Sequence, residues 1–580
     1  MAFQIKKKGE LYDVVIVGSG AGGGMAAKTL TEAGLKVALL EAGPDYDPAN
    51  PDQQTQLKWP YQSPRRGANT TRAFGDFDGA YGGWEIDGEP YTRQEGTEFD
   101  WFRSRMIGGR TNHWGRISLR FGPHDFKRGS IDGLGDDWPL SYEDLKPYYD
   151  RVDKMVGVFG TNENLPNDPD GYFLPPPKPR LHELMIKKAA TSVGIPVIPA
   201  RLSMLTRPVN KDRGSCFFCS QCGRGCSVHA DFAASTVLVK PARKTGNVDL
   251  YVNAMAREVL TDKNGLATGV LYTDKTDLQE YQVNGKVVIL AASACESARL
   301  LLNSKSAQHP NGLANSSGVV GKYLHDSTGA SRSAFVPKLM DRKRYNEDGV
   351  GGMHLYIPWW LEGNKKLNFS RGYHIELGGG LGMPSYGFGF GIERMNGKYP
   401  SKDGKTKDAG GYGASLKDDY RRFYGANVGF SGRGESVPRE YNRCEIDPNV
   451  VDKYGIPVLK FHYKWTEQEV NQAKHMQDTF EEIIHAMGAI ANGEKPGADE
   501  QYGLAVPGRI IHEVGTVRMG NNPSKSALNK NCQAHEVKNL FVVDGGPFVS
   551  QADKNPTWTI MALSMRASEF IIDNLKKRNI

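Results

Sequence analysis

Tyr12-Asp-Val-Val-Ile-Val-Gly18-Ser-Gly20-Ala-Gly-Gly23, a helical stretch, and then Val37-Ala-Leu-Leu-Glu41-Ala-Gly give strand, glycine turn, helix, strand and acid in the order of a dinucleotide-binding unit. Gly18 permits the tight turn out of a buried strand, Gly20 lets the backbone approach a pyrophosphate, and Gly23 lets the helix lie close on the sheet. The helix N-terminus offers unpaired N–H groups and the positive end of its dipole to the phosphates. Glu41, 23 residues beyond Gly18, stands where an acid accepts hydrogen bonds from ribose hydroxyls. An acid there disfavours a 2′-phosphate, and with it NADP. The predicted class is α/β, with a Rossmann-like nucleotide domain at the N-terminus.

A chain of 580 residues exceeds one compact core, which predicts two domains or interleaved lobes. The formal charge of +7 is modest for this length, with basic and acidic residues interspersed. Lys6-Lys7-Lys8 reads as a solvated terminus, and nothing suggests a nucleic-acid partner. No apolar run approaches the roughly 20 residues of a membrane span, and no secretory signal is evident, so the sequence predicts a cytoplasmic protein. Periplasmic export alongside a signal-bearing partner is the alternative.

From about Pro44 to Arg103 the chain is rich in Gly, Pro, Asp and aromatics without periodicity, which reads as long loops leaving the nucleotide fold. A capped helix is predicted from Ser141, followed by the extended connector Leu174-Pro-Pro-Pro-Lys-Pro. Strands between Val248 and Ala292 are expected to turn at Asn264-Gly265 and Asn284-Gly285, as a small antiparallel element returning to the parallel sheet. Between about Ala330 and Tyr463, stretches such as Gly372-Tyr-His-Ile-Glu and Tyr386-Gly-Phe-Gly-Phe-Gly-Ile predict a large antiparallel sheet. A capped helix over Thr466 to Ala491, a last strand at Leu540-Phe-Val-Val-Asp544 and a final helix from about Thr557 complete the chain.

Ile511-His512-Glu-Val-Gly515-Thr516-Val-Arg518-Met519-Gly520 is followed by Asp544-Gly545-Gly546 and Lys554-Asn555-Pro556-Thr557. With the N-terminal glycine turn, these blocks closely resemble the glucose-methanol-choline (GMC) oxidoreductases over nearly the whole chain. That family comprises FAD enzymes oxidising alcohols and sugars. The resemblance implies that His512 and Asn555 face the reactive edge of the flavin. Hydride transfer from a carbinol carbon requires the hydroxyl proton to leave, and a neutral imidazole can take it. An amide is no base, but its NH2 can donate to the developing alkoxide, so His512 is expected to be the base and Asn555 an orienting donor.

The resemblance also implies a domain organisation: FAD-binding segments at 1–125, 211–330 (with a cysteine loop) and 501–580, substrate-lobe helices and connector at 126–210, and a substrate domain at 331–500. Further cofactor contacts are expected at Gly108, Gly109, Asn112, His113, Ala256, Asp544, Gly545 and Thr557. Arg105-Met-Ile-Gly108-Gly109-Arg-Thr-Asn112-His113-Trp114-Gly115 is similar to the His-Trp version found in pyranose oxidases and bacterial sugar dehydrogenases, several of which join the histidine covalently to FAD. His113 is accordingly either an attachment site or a residue packed against the flavin's dimethylbenzene ring.

Cys216-Phe-Phe-Cys219-Ser-Gln-Cys222-Gly-Arg-Gly-Cys226 places four of the seven cysteines in eleven residues. The spacing resembles the run that wraps an iron-sulfur cluster in bacterial ferredoxins, with Ser227 in place of the usual proline. The expected ligands are Cys216, Cys219, Cys222 and Cys226, for a three-iron or four-iron cluster, with His229 a possible substitute. Structural zinc and uncommitted thiols are the alternatives. A cluster favours a dehydrogenase, which passes electrons singly to an external acceptor, over an oxidase. The implied partners are a small subunit and a cytochrome c or other acceptor.

Aromatic and polar residues of the substrate lobe, among them Tyr356, Trp359, Trp360, His374, Glu376, Glu435 and Arg439, suit a pyranose. Within the family the matched features resemble glucoside 3-dehydrogenases and pyranose oxidases, and that resemblance implies oxidation of a sugar or glycoside ring hydroxyl, at C3 to the 3-keto form. A sugar oxidase and a non-catalytic flavoprotein subunit are the competing readings.

Overall fold

The computed structural model describes residues 6–53, 81–343, 349–381, 399–400, 406–407 and 413–580. The run Val14-Val15-Ile16-Val17 is buried on both faces, as a central parallel strand requires. It closes strand β1 (Lys6–Val17), which leads through helix α1 (Ala21–Glu32) to the parallel strand β2 (Val37–Leu40). Lys6 to Lys8, expected in a solvated terminus, instead begin β1, with Lys6 in register with Tyr281.

Beyond β2 the sheet continues to β3 (Val248–Tyr251), and on the other side of β1 lies β6 (Glu280–Leu290). The antiparallel strands β4 (Ala254–Thr261) and β5 (Ala267–Asp274) extend it from the first half of β6. The second half of β6 pairs in parallel with the strand Leu540–Val542. The predicted turn at Asn264-Gly265 joins β4 and β5, but Asn284-Gly285 lies inside β6. A Cβ on Gly285 would stand 2.6 Å from a Val15 methyl, so that glycine serves close strand packing rather than a turn.

Helix α2 (Ala294–Asn303) follows β6, and the chain ends in α4 (Thr557–Lys577), which packs on α1. There Ser564 Oγ donates to the Gly22 carbonyl at 2.7 Å. A Cβ on Gly23 would lie 1.8 Å from the Gly18 carbonyl oxygen, so helix and turn meet this closely only with glycine.

The second layer is a six-stranded antiparallel sheet whose inner strands lie in the first part of the region predicted for it, while Arg443–Val451 and Pro457–His462 pair in a separate three-stranded sheet. The inner strands of the six-stranded sheet are β7 (Thr328–Phe335), β8 (Leu355–Ile357), β9 (Tyr373–Gly379) and β10 (Asn427–Gly434). Ile198–Pro199 and Ile490–Ala491 form its edges. Tyr386-Gly-Phe-Gly-Phe-Gly-Ile, quoted for this sheet, lies outside the described residues. Helix α3 (Glu467–Met487) covers one face, its start fixed by the Thr466 hydroxyl and amide donating to Glu469 at 2.6 and 2.9 Å. The helix ends before Ile490–Ala491, which the sequence placed within it. Ser141 caps a helix over Tyr142–Val156 as expected. No helix among the described residues is long and apolar enough to cross a membrane.

Candidate active site

The glycine turn, the end of β2, the start of α2 and the C-terminal blocks converge on one cavity of about 480 Å³. Gly18 holds φ at +95°, and a Cβ on it would lie 2.3 Å from the Ala291 carbonyl oxygen. Gly20, at the head of α1, lines the cavity and has no atom within 4 Å of where its Cβ would be, leaving the backbone open to a ligand. Glu41 also lines it, buried, its carboxylate accepting from Ser19 Oγ at 2.6 Å and from the Gly43 amide at 3.0 Å. Burial raises the Glu41 pKa against these bonds. Gly109, His113, Ala256, Asp544, Gly545 and Thr557 complete the expected contacts found on the wall.

Three expected cofactor residues stand behind the wall. Gly23 sets the helix approach, and Gly108 donates its amide to Ser19 Oγ at 3.0 Å. The Asn112 side chain braces its own loop, donating to the Ile107 carbonyl at 2.8 Å and accepting from Ser235 Oγ at 2.7 Å. His113 presents its ring to the cavity, edge-on to Phe102 at 5.4 Å between centroids.

His512 and Asn555, 43 residues apart in sequence, meet on the same wall. The Asn555 Nδ2 amide lies 3.3 Å from His512 Nε2, and Ser327 Oγ lies 3.0 Å from His512 Nδ1. An NH2 can only donate, so Nε2 presents its lone pair and Nδ1–H donates to Ser327. Gln551 Nε2 holds that serine hydroxyl at 2.7 Å. Asp326 fixes the backbone below, accepting from the amides of His512, Ser327 and Gly508, each at 2.9 Å. Burial, with Glu513 nearby, raises the Asp326 carboxyl to about 7.

Burial pushes the His512 imidazole down to about 3 although the Glu376 carboxylate opposes it, so the ring is neutral at ordinary pH. Asn555 Oδ1 is buried with no partner among the described residues. An alcohol that takes the place of the Asn555 NH2 on the Nε2 lone pair can give its hydroxyl proton to the neutral imidazole while that NH2 donates to the alcohol oxygen.

Of the substrate-lobe residues singled out in sequence, only Glu376 lines this cavity. Tyr356, Trp359 and His374 border a second, small cavity of about 30 Å³. Trp360 packs against Trp359 and Tyr373, Glu435 is sealed between Arg371 and Arg128, and Arg439 ties down the start of α3 through Glu469. Arg433, Ser327, Gln551 and Asp326 were missed. No local pattern marks them, because strand pairing and loop apposition bring them to the site.

The cysteine loop departs from expectation. Among the described residues no three His, Cys, Asp or Glu side chains gather closely enough to hold a metal ion, so Cys216, Cys219, Cys222 and Cys226 are not assembled as a ligand set. Backbone amides of Phe218, Gly351 and Ala230 approach the sulfurs of Cys216, Cys222 and Cys226 at 3.2–3.3 Å. Burial pushes the Cys216 thiol up to about 11 and raises Cys222 and Cys226. His229 is turned away, its Nε2 lying 2.8 Å from Asp47 Oδ1.

Residues 16–328 match the N-terminal domain of GMC oxidoreductases and residues 438–564 the C-terminal domain. The chain belongs to the GMC oxidoreductases. It is 30% identical to 2-methyl-1,2-propanediol dehydrogenase of Mycolicibacterium austroafricanum, over 96% of this chain and 95% of that protein. It is 27% identical to the fructose dehydrogenase large subunit of Gluconobacter japonicus, over 97% and 98%. The pyridoxine 4-oxidase from Mesorbium loti shares the fold, with a TM-score of 0.62 and 17% identity over 96% of this chain and 99% of that one. This GMC chain is an oxidoreductase acting on CH–OH groups. FAD, the family's cofactor, fits the open turn at Gly20 and the unused acceptor of Asn555.

Proposed function

We propose that this chain is an FAD-dependent dehydrogenase that oxidises a ring hydroxyl of a sugar or glycoside, at C3, to the ketone. The observation that carries the reading is the 3.3 Å approach of Asn555 Nδ2 to His512 Nε2 on the wall of the nucleotide cavity. Gly18, Gly20 and Glu41 would hold the dinucleotide, and His113 would contact or covalently anchor the flavin. Bound FAD supplies the hydride acceptor. His512 Nε2 takes the hydroxyl proton as the C–H bond breaks, Asn555 orients the alcohol oxygen, and Ser327 and Gln551 keep the imidazole in the required tautomer. A fructose dehydrogenase large subunit and C-glycoside 3-oxidases among the relatives support the sugar and C3 assignments.

We include in this proposal an iron-sulfur cluster on the cysteine loop, which would supply a one-electron relay to an acceptor carried by a partner. Four thiols with amides approaching three of them support it. The ungathered thiols favour a second reading, an FAD oxidase that needs no relay. Replacing His512 with Ala separates catalysis from cofactor binding: kcat is expected to fall about 10²–10⁴-fold with flavin content unchanged. Unchanged turnover at normal flavin content would remove His512 from the chemistry.

A further inference from the structure

Two charged residues of the substrate sheet, Glu376 on β9 and Arg433 on β10, line the same cavity as His512 and Asn555. The antiparallel register pairs His374 with Arg433 and Glu376 with Ser431, so all four stand on one face. Arg433 Nη2 lies 3.4 Å from Glu376 Oε2, and His374 Nε2 lies 3.4 Å from Glu376 Oε1. Both contacts are longer than the roughly 2.7–2.9 Å of a charge-assisted hydrogen bond. Among the described residues the carboxylate is compensated in charge without being saturated in hydrogen bonds. His374 is itself committed through Nδ1 to the Asp553 carbonyl, two residues before Asn555.

The surrounding wall includes Ile510, Ile511, Ile117 and Trp114. A carboxylate beside such a surface is costly unless hydrogen-bond donors meet it there. Substrate hydroxyls are such donors. The fold also brings them near the base, since the Glu376 carboxylate shares the cavity with His512 and opposes the fall of its pKa. Strand β7 begins beside Ser327, which holds the His512 ring, and two residues on, Gly329 is in register with Arg433. A Cβ on Gly329 would lie 3.4 Å from Arg433 Nη1 and 2.4 Å from Ile510 Cδ1, placing the guanidinium next to the segment that carries His512. Hydroxyls on neighbouring carbons let one substrate donate to the base and to this carboxylate in the same cavity.

We propose that Glu376, held by Arg433, accepts a hydrogen bond from the hydroxyl next to the one being oxidised, so that the cavity selects vicinal diols, as in polyols and sugars, over isolated alcohols. This rests on the reading of His512 as the base in the same cavity. It adds a specificity-determining residue and a minimal substrate motif, HO–C–C–OH, that does not depend on which sugar is used.

The test uses the flavin-loaded enzyme, without air, and follows reduction of the flavin by methyl glucoside, by its 2-deoxy and 4-deoxy analogues, and by propan-1-ol and propan-2-ol. In the wild-type enzyme kcat/KM is expected to fall about 100-fold or more when the hydroxyl read by Glu376 is missing, because a group placed to bond it is left unpaired. In Glu376→Gln the preference for the parent sugar over that deoxy sugar is expected to shrink to within about threefold, and Glu376→Asp to restore part of it. Equal losses on parent and both deoxy sugars in Glu376→Gln, at normal flavin content, would overturn the proposal. So would a wild-type flavin reduced as fast by the monohydric alcohols as by the glucoside, a result that leaves the alcohol-oxidising reading intact. If none of these compounds reduces the flavin, the functional reading fails and the proposal with it.

Discussion

The wall around His512 and the loop around Cys222 are both dense in chemically able side chains, and they are organised in opposite ways. At His512 each polar group is aimed at the next: Asp326 fixes the backbone, Ser327 and Gln551 fix the ring, and Asn555 meets its free nitrogen. At Cys222 the thiols come from one short loop, three of them each approached by a different backbone amide, without gathering on a centre. The first is preorganised by contacts from two distant stretches of chain, 326–327 and 551–555. The second is close in sequence and unassembled in space, so sequence density of ligands and spatial readiness are separate properties.

Three perturbations sharpen that contrast. The largest effect is expected at Asn555. In Asn555→Ala the base remains but the alcohol oxygen loses its oriented donor, and kcat is expected to fall about 10²–10³-fold in steady-state assays. A loss confined to KM would mean that Asn555 only binds. Next, Cys222→Ser tests whether the loop takes part. If it carries the proposed relay, turnover with a one-electron acceptor falls about 10–100-fold while flavin reduction by sugar is retained. Equal behaviour of variant and wild type in both assays would leave the loop a structural element.

The smallest effect is on stability. His512 has an ordinary pKa of 6.5 when unfolded and about 3 when folded, because burial disfavours the charged ring. Between those values the unfolded chain binds the proton and the native one does not. The stability associated with the neutral ring is therefore full above pH 6.5 and is lost as pH falls toward 3. Between pH 7 and 4.5 the wild type is expected to lose about 1–3 kcal/mol more than His512→Asn, read from urea midpoints. Asp326, raised to about 7, contributes in the opposite direction, so the difference between the two proteins isolates His512. Parallel pH dependence would mean that the ring is not buried neutral.

Much of the nucleotide half is readable in the chain because its signals are local. Gly18, Gly20 and Gly23 sit at fixed offsets between a buried strand and a helix, and the blocks at His512 and Asn555 are contiguous runs. A motif position does not say which way a side chain turns, and the Asn112 side chain bonds Ile107 of its own loop and Ser235. Asn284-Gly285 misled because a glycine needed for contact with Val15 looks in sequence like a turn. The substrate face is the least legible part. Arg433 reaches the cavity through a register with His374 59 residues earlier, Ser327 meets His512 across 185 residues, and Gln551 meets Ser327 across 224. Alternating aromatic and polar residues announce such a sheet without saying which of them face the cavity.

The most direct test of the central claim is the visible spectrum of the purified protein, taken without air before and after adding methyl glucoside, with iron measured on the same sample. The account predicts a flavin band that bleaches with the sugar over an iron-sulfur background. A flavin band that the sugar leaves unchanged would contradict the sugar dehydrogenase reading, and bleaching in protein that contains no iron would contradict the relay and leave the oxidase in its place.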